Sequence, residues 1–101
     1  MTNFKQHLID ETANEIVAKE SEVQESDKEL EVLNAKLKVE NKAFYMKDIS
    51  ENLKEDFKYS VQALENMIAM EQNRNSELKK EMEMLKYRKA VIESQFPDNE
   101  L

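Results

Sequence analysis

The sequence predicts an all-α protein built as a long antiparallel helical hairpin of the coiled-coil type. Three observations predict it. The 101 residues contain no Gly and a single Pro, at position 97, while 37% are charged and Glu, Lys, Leu, Ala and Met dominate. Sheets need turns that draw on Gly, Pro and Asn-Gly pairs, whereas these abundant residues favour helix. Apolar residues recur every three and four positions over most of the chain, the spacing that keeps one helix face against another. And each half carries one polar stretch, placed so that the two face each other when the chain folds back near its middle.

The first arm is expected over about residues 3–47. Its apolar line runs through Ile9, Ile16, Val23, Leu30, Leu37 and Phe44, with companions Thr12 or Ala13, Lys19, Ser26, Leu33 and Glu40. The line is thinnest over residues 20–29, where Val23 is the one apolar residue. Ser26 and Glu29 have the S-x-x-E spacing of a capping box, which permits a break and restart there. The turn is expected near 48–50. Asp48 with Glu51 three positions on reads as a helix start. The apolar line through Leu37 and Phe44 also loses register before Phe57.

The second arm, about 49–96, has the stronger seam. One set of core positions is Phe57, Leu64, Glu71, Leu78, Leu85 and Ile92; the other is Val61, Ile68, Asn75, Met82, Lys89 and Phe96. Nine of these twelve are apolar, so the register is unbroken up to Pro97. There the missing amide proton stops the helix. Residues 1–96 thus read as one helical domain and 97–101 as a frayed tail.

Glu71 and Asn75 occupy positions where core side chains belong. A turn near 49 sets Leu30 against Ile68, Leu33 against Leu64, Leu37 against Val61 and Ile16 against Met82. Residues 20–28 then face 70–78, so polar meets polar and the several-kcal/mol cost of burying an unpaired polar group is avoided. Asn75, facing the region of Val23, helps fix register, as a core Asn does in coiled coils. A straight parallel dimer pairs Asn75 with Asn75 but sets Glu71 against Glu71. Extra breaks at 21–27 and 72–76 give a bundle of three or four helices as a further alternative.

Each arm carries a second apolar line outside the seam. On the first it runs Ala18, Glu25, Val32, Val39, Met46 and on to Leu53; on the second, Ala63, Met70, Glu77, Met84 and Val91. A helix with one neighbour needs one narrow stripe. Two stripes predict two neighbours, and hence pairing of hairpins into a dimeric four-helix bundle. Met67, Met70, Met82 and Met84 are unbranched and adaptable, which suits a core or a binding surface. Phe44, Tyr45, Phe57 and Tyr59 flank the turn as a candidate aromatic cluster, with the two tyrosines the better exposed contacts.

Composition excludes much chemistry. Without Cys there is no disulfide or thiolate, and with His7 alone there is no Cys/His zinc set and no nucleophile triad. His7 with Asp10 and Glu11 reads as solvated surface. No Gly-rich loop exists to cradle phosphate. An enzyme, a metal and an organic cofactor are therefore not expected. No apolar run approaches the ~18 residues of a membrane span, and the N-terminus lacks signal-peptide character. The expected location is the cytoplasm of a cell, or of the host if the protein is viral.

The net charge of −7 argues against direct binding to nucleic-acid phosphates. Residues 1–35 hold nine acids against Lys5, Lys19 and Lys28. The principal functional expectation is a non-enzymatic coiled-coil interaction module, a scaffold or adaptor that self-associates as a homodimer and meets protein partners. In size, acidity and lack of catalytic residues the chain also resembles small phage inhibitors of the anti-CRISPR kind. Such a role implies that Glu15, Glu20, Glu22, Glu25, Asp27, Glu29 and Glu31 face a basic nucleic-acid-binding protein. A hairpin chaperone clasping a client helix is the third reading. Prefoldin-like chaperones share a two-armed plan but join their arms through β-hairpins, and the secreted hairpins with a Trp-x-Gly turn need residues this chain lacks.

Overall fold

A computed structural model gives the fold of residues 4–98 and 100–101. It is an all-α helical hairpin: α1 spans Phe4–Phe44, α2 spans Glu51–Gln95, and residues 45–50 connect them. No strand occurs among the described residues. The chain forms two compact units. One joins the residues up to Gln24 with Ser76–Leu101, and the other is Glu25–Asn75.

The 25–75 unit contains the turn. α1 ends with Tyr45 N donating to Asn41 O (3.3 Å) and Met46 N to Ala43 O (3.2 Å). Lys42 in its last turn meets the negative end of the helix dipole. The start of α2 is capped by Ser50, not by Asp48. The Ser50 hydroxyl accepts from Leu53 N at 3.3 Å and its carbonyl from Lys54 N at 2.9 Å. A seryl oxygen suits this position because it satisfies an orphan first-turn amide, and Glu51 adds favourable charge there. The connection is thus longer than residues 48–50, since α1 stops at Phe44 and Asp48 lies in the turn. Phe44 meets Tyr45 edge-on at 5.0 Å, and Lys54 Nζ lies 5.4 Å from the Phe44 ring centroid. The four-ring cluster does not form: Phe57 is half-buried in the seam, while Tyr59 is exposed.

The core of this unit is Leu33 and Ile68, with Ser26 and Asn75 buried beside them. Ser26 is fully buried, at 0% exposure. Asn75 Nδ2 donates to Ser26 Oγ at 3.0 Å and to Asp27 Oδ1 at 2.8 Å. Asn75 therefore pairs three residues beyond the Val23 region anticipated for it. The same alignment sets Leu33 across from Ile68, Leu37 from Leu64 and Phe44 from Phe57. The cause is polar satisfaction. A three-residue slip keeps both apolar lines in the seam, because three is one of the two alternating seam spacings. It also exchanges an Asn against valine for an Asn with two oxygen acceptors. Glu71, across from Leu30, is held at the seam margin by Arg74 at 2.9 Å. Ser26 is a core residue and not a cap, and α1 runs unbroken through residues 20–29.

In the other unit Val23, Leu78 and Leu85 are buried, with Ile9, Ile16, Met82 and Ile92 half-buried along the same lines. Thr12 and Lys5 of the first arm find partners here. Thr12 Oγ1 donates to Leu8 O at 2.7 Å. Lys5 Nζ donates to Phe96 O at 2.6 Å and to Asp98 Oδ1 at 3.2 Å, so it covers a carbonyl at the end of α2. Beyond Pro97 the tail makes a turn, Glu100 N to Pro97 O at 3.1 Å. Among the described residues no buried side-chain polar atom lacks a partner.

Leu33, 2% exposed, is the apolar anchor of its unit. Leu33→Ala is expected to lower the unfolding free energy by about 2–5 kcal/mol, read by urea denaturation. Asn75→Ala removes the donor shared by Ser26 and Asp27 and is expected to cost about 1–3 kcal/mol. In the Ser26→Ala, Asn75→Leu double variant, where both buried partners become apolar, much of that loss returns. A double variant no more stable than Asn75→Ala would contradict the pairing.

Candidate functional site

Helical periodicity divides each unit into two flanks beside its seam. In the unit holding the chain ends, Glu15, Ala18 and Lys19 of α1 line one groove with Glu81, Met84, Leu85 and Arg88 of α2; its volume is about 400 Å³. Positions from both second apolar lines thus open on the same flank. The reason is geometric: two residues past one set of core positions, both antiparallel helices present the same side of the pair. The opposite flank carries a groove lined by Ala13, Ile16, Lys86, Lys89, Ala90 and Glu93, and Lys89 is paired there with Glu93.

Lys19 organises the first groove. Its stem leaves a seam position, and its ammonium emerges on the flank, as amphipathic side chains do. There Nζ meets Glu81 at 2.6 Å and Glu22 at 3.5 Å. Without it two carboxylates on facing helices would stand uncompensated. The hydrogen bond that Lys19 donates to Glu81, reinforced by the charges of Glu22 and Glu81, holds the Lys19 ammonium above its ordinary pKa of 10.5, although desolvation opposes it. Met84 and Val91 are exposed on this flank but interleaved with charge.

The 25–75 unit is different. Val32 and Val39 stand exposed along α1 and Met70 along α2, all on the second apolar lines, and Met46 is exposed in the connection beyond the end of α1. Leu53, reckoned in the sequence with the first arm, belongs to the first turn of α2 and is also exposed. Seven-residue steps from Leu53 lead through Ser60 to Met67, which is exposed on the same flank. Its neighbours on that line, Ser60 and Arg74, are polar, so spacing alone does not mark it. Val39 is 66% exposed and Met70 74%, so these side chains are unused by the hairpin itself. A shallow groove of about 320 Å³ runs between Val32 and Val39, bordered by Ala35, Lys36 and Glu40. The opposite flank of this unit presents Asp27, Asn34, Asn41, Lys58, Glu65 and Gln72, with Tyr45 exposed beside Asn41, Lys58 and Glu65. The exposed aliphatic and methionine side chains of the two helices fall on the other side.

The seven acids do not share one side. Glu15, Glu20, Glu25, Asp27, Glu29 and Glu31 are exposed and Glu22 half-buried. Glu25 and Glu29 fall on the flank of Val32, whereas Asp27 and Glu31 fall on the other. Glu22 is engaged by Lys19 and Asp27 by Asn75. His7 approaches Glu11 at 3.5 Å on the surface. No group of three or more His, Cys, Asp or Glu side chains among the described residues is placed to hold a metal. No helix among them is long and apolar enough to cross a membrane.

No family model, no curated protein and no solved structure matches the chain.

The Lys19 bridge has a pH signature. A lysine whose folded pKa is raised contributes stability that is fully present below its ordinary value of 10.5 and is lost as pH rises through the folded value. The melting temperature is expected to fall between pH 9.5 and 11.5 more steeply in the native protein than in Lys19→Gln. Parallel curves would mean that the bridge contributes nothing to folding.

Proposed function

We propose that the protein is a non-enzymatic helical interaction module, a scaffold or adaptor that works through the apolar flank of its 25–75 unit. The observation that carries this reading is the placing of Val32, Val39, Leu53, Met67 and Met70, all exposed, on one side of a hairpin whose own seam is already filled. Single exposed apolar residues need no explanation, but a contiguous patch of this kind marks a surface that binds. Methionine enrichment suits a helix-in-groove or bundle contact, because its unbranched chain adapts to the opposing surface.

The acidic-inhibitor reading draws less support. Its acids divide between two flanks, and two of the seven already have partners within the chain. A clasping chaperone needs a gap between its arms, and here the arms fill the seam with each other's side chains.

A photo-cross-linking amino acid at Val39, compared with one at Asn73 on the solvent side of α2, tests the module. In cells that make the protein, adducts are expected from Val39 at several times the yield from Asn73. Equal yields would remove the flank from any role in binding.

A further inference from the structure

We infer that the unit holding the chain ends opens on its own, under conditions in which the 25–75 unit stays paired, and that Lys5 is the latch at its mouth. What parts is the seam of the end unit. The apolar flank on which the module reading rests belongs to the other unit and takes no part. The order of the seam layers, the position of the turn and the bonds of Lys5 carry the inference.

The Lys5–Phe96 and Lys19–Glu81 links define the alignment of the end unit. Carried along the seam, it sets Ile9 across from Ile92, Ile16 from Leu85 and Val23 from Leu78. Between these apolar layers stand Lys5 with Phe96, Thr12 with Lys89 and Lys19 with Met82. No two apolar layers of this unit are therefore successive, and Ile9, Ile16 and Ile92 remain only half-buried. The lysine heads leave the seam for partners in water, Lys19 for Glu81 and Lys89 for Glu93. Such solvated ion pairs hold two helices weakly. In the 25–75 unit, by contrast, Leu33 with Ile68 is followed directly by Leu37 with Leu64, and Phe44 with Phe57 completes the row beside the turn.

The turn adds a second inequality. Residues 45–50 keep the arms of the 25–75 unit close whether or not its seam is shut, so pairing there closes only a short loop. No such tether joins the two arms of the end unit at their free termini. Segments with few buried apolar contacts open at free energies well below that of global unfolding, and they do so as cooperative units. The Ser26–Asn75 pair lies in the unit that stays closed. Register is therefore kept while the ends part, and the same layers meet again on closing.

Lys5 stands where parting would begin. Pro97 ends α2 and leaves carbonyls of its last turn without amide partners. Lys5 Nζ reaches across from α1 to the Phe96 carbonyl at 2.6 Å and to Asp98 at 3.2 Å. Its side chain is 13% exposed, so one buried stem ties the start of α1 to the end of α2.

The absence of cysteine from the sequence allows paired spin labels to be placed at will. Asn14→Cys with Tyr87→Cys reports the end unit, and Ala35→Cys with Asn66→Cys the 25–75 unit; all four side chains are exposed. Pulsed dipolar spectroscopy over a urea series is expected to lose the short, closed distance of the end pair about 1 M below that of the other pair. Lys5→Ala should lower the first midpoint and leave the second in place. Thr12→Val with Lys19→Leu, which joins the apolar layers into one row, should raise the first midpoint until the two coincide.

Coincident midpoints in the native protein overturn the inference, because the hairpin would then open as one body. Separate midpoints with the first unmoved by Lys5→Ala overturn the latch. A first midpoint that Thr12→Val with Lys19→Leu lowers or leaves alone overturns the role of the interrupted seam. Were that variant not to fold, the native and Lys5→Ala series would still decide both the opening and the latch. None of these outcomes bears on the Val39 cross-link, so the module reading stands or falls separately.

Discussion

The structure turns on one buried amide. Asn75 sits where a coiled-coil core residue belongs, and its Nδ2 group must find acceptors there, because an orphaned donor in that position costs more than the packing around it gains. Ser26 and Asp27 provide them. Apolar seams are permissive about register, since Leu against Ile and Leu against Val are nearly equivalent. A single amide with directional bonds is not permissive. It selects one alignment of α1 on α2, and the other seam neighbours of the 25–75 unit follow. In the other unit the links from Lys5 to Phe96 and Lys19 to Glu81 obey the corresponding alignment, so polar pairs fix the register in both.

The residues most legible in the sequence were those whose meaning depends on spacing. Ile9 through Leu37 and Phe57 through Ile92 recur at coiled-coil intervals, and the all-α hairpin follows from that recurrence together with the absence of Gly. Directional chemistry was less legible. Ser26 and Glu29 have the spacing of a capping box, and Asp48 and Glu51 resemble another, but a cap pattern says nothing about whether its hydroxyl will be needed elsewhere. Ser26 is claimed by Asn75, and Ser50, nearer to the first turn of α2, takes the cap from Asp48. Lys19 and Glu40 looked like poor core residues. Lys19 proves to be a bridge whose head lies outside the seam, a property of its long stem that a heptad pattern does not encode.

The same limit applies to the outer flank. Periodicity picked out Val32, Val39, Met46, Leu53 and Met70, because a second line at seven-residue spacing is visible without coordinates. It could not tell which of two flanks each line would join, since that depends on the direction of the partner helix. Only in an antiparallel pair do the two lines open on one side; in a parallel pair they lie on opposite sides. Nor does seven-residue spacing mark Met67, whose line is half polar. The acids show the converse. A dense run in the sequence looks like a face, but consecutive residues in a helix turn by about 100°, and a run distributes itself around the helix.

A polar layer in the seam and an apolar flank outside it have a joint consequence. Ser26, Asn75 and Glu71 take core positions that leucine would otherwise hold, so the hairpin is less stable than its length allows and its two arms are more sharply specified. The missing apolar burial is present elsewhere in the same unit, on side chains that the hairpin alone leaves in water. A partner that covers them binds the folded pair and not the open chain, and so it adds stability by mass action, about 2.7 kcal/mol at a hundredfold excess over its dissociation constant. Register is thereby set within the chain, and a partner on that flank would add stability without altering it. Such a division lets a thin seam persist, because what the seam must supply is alignment.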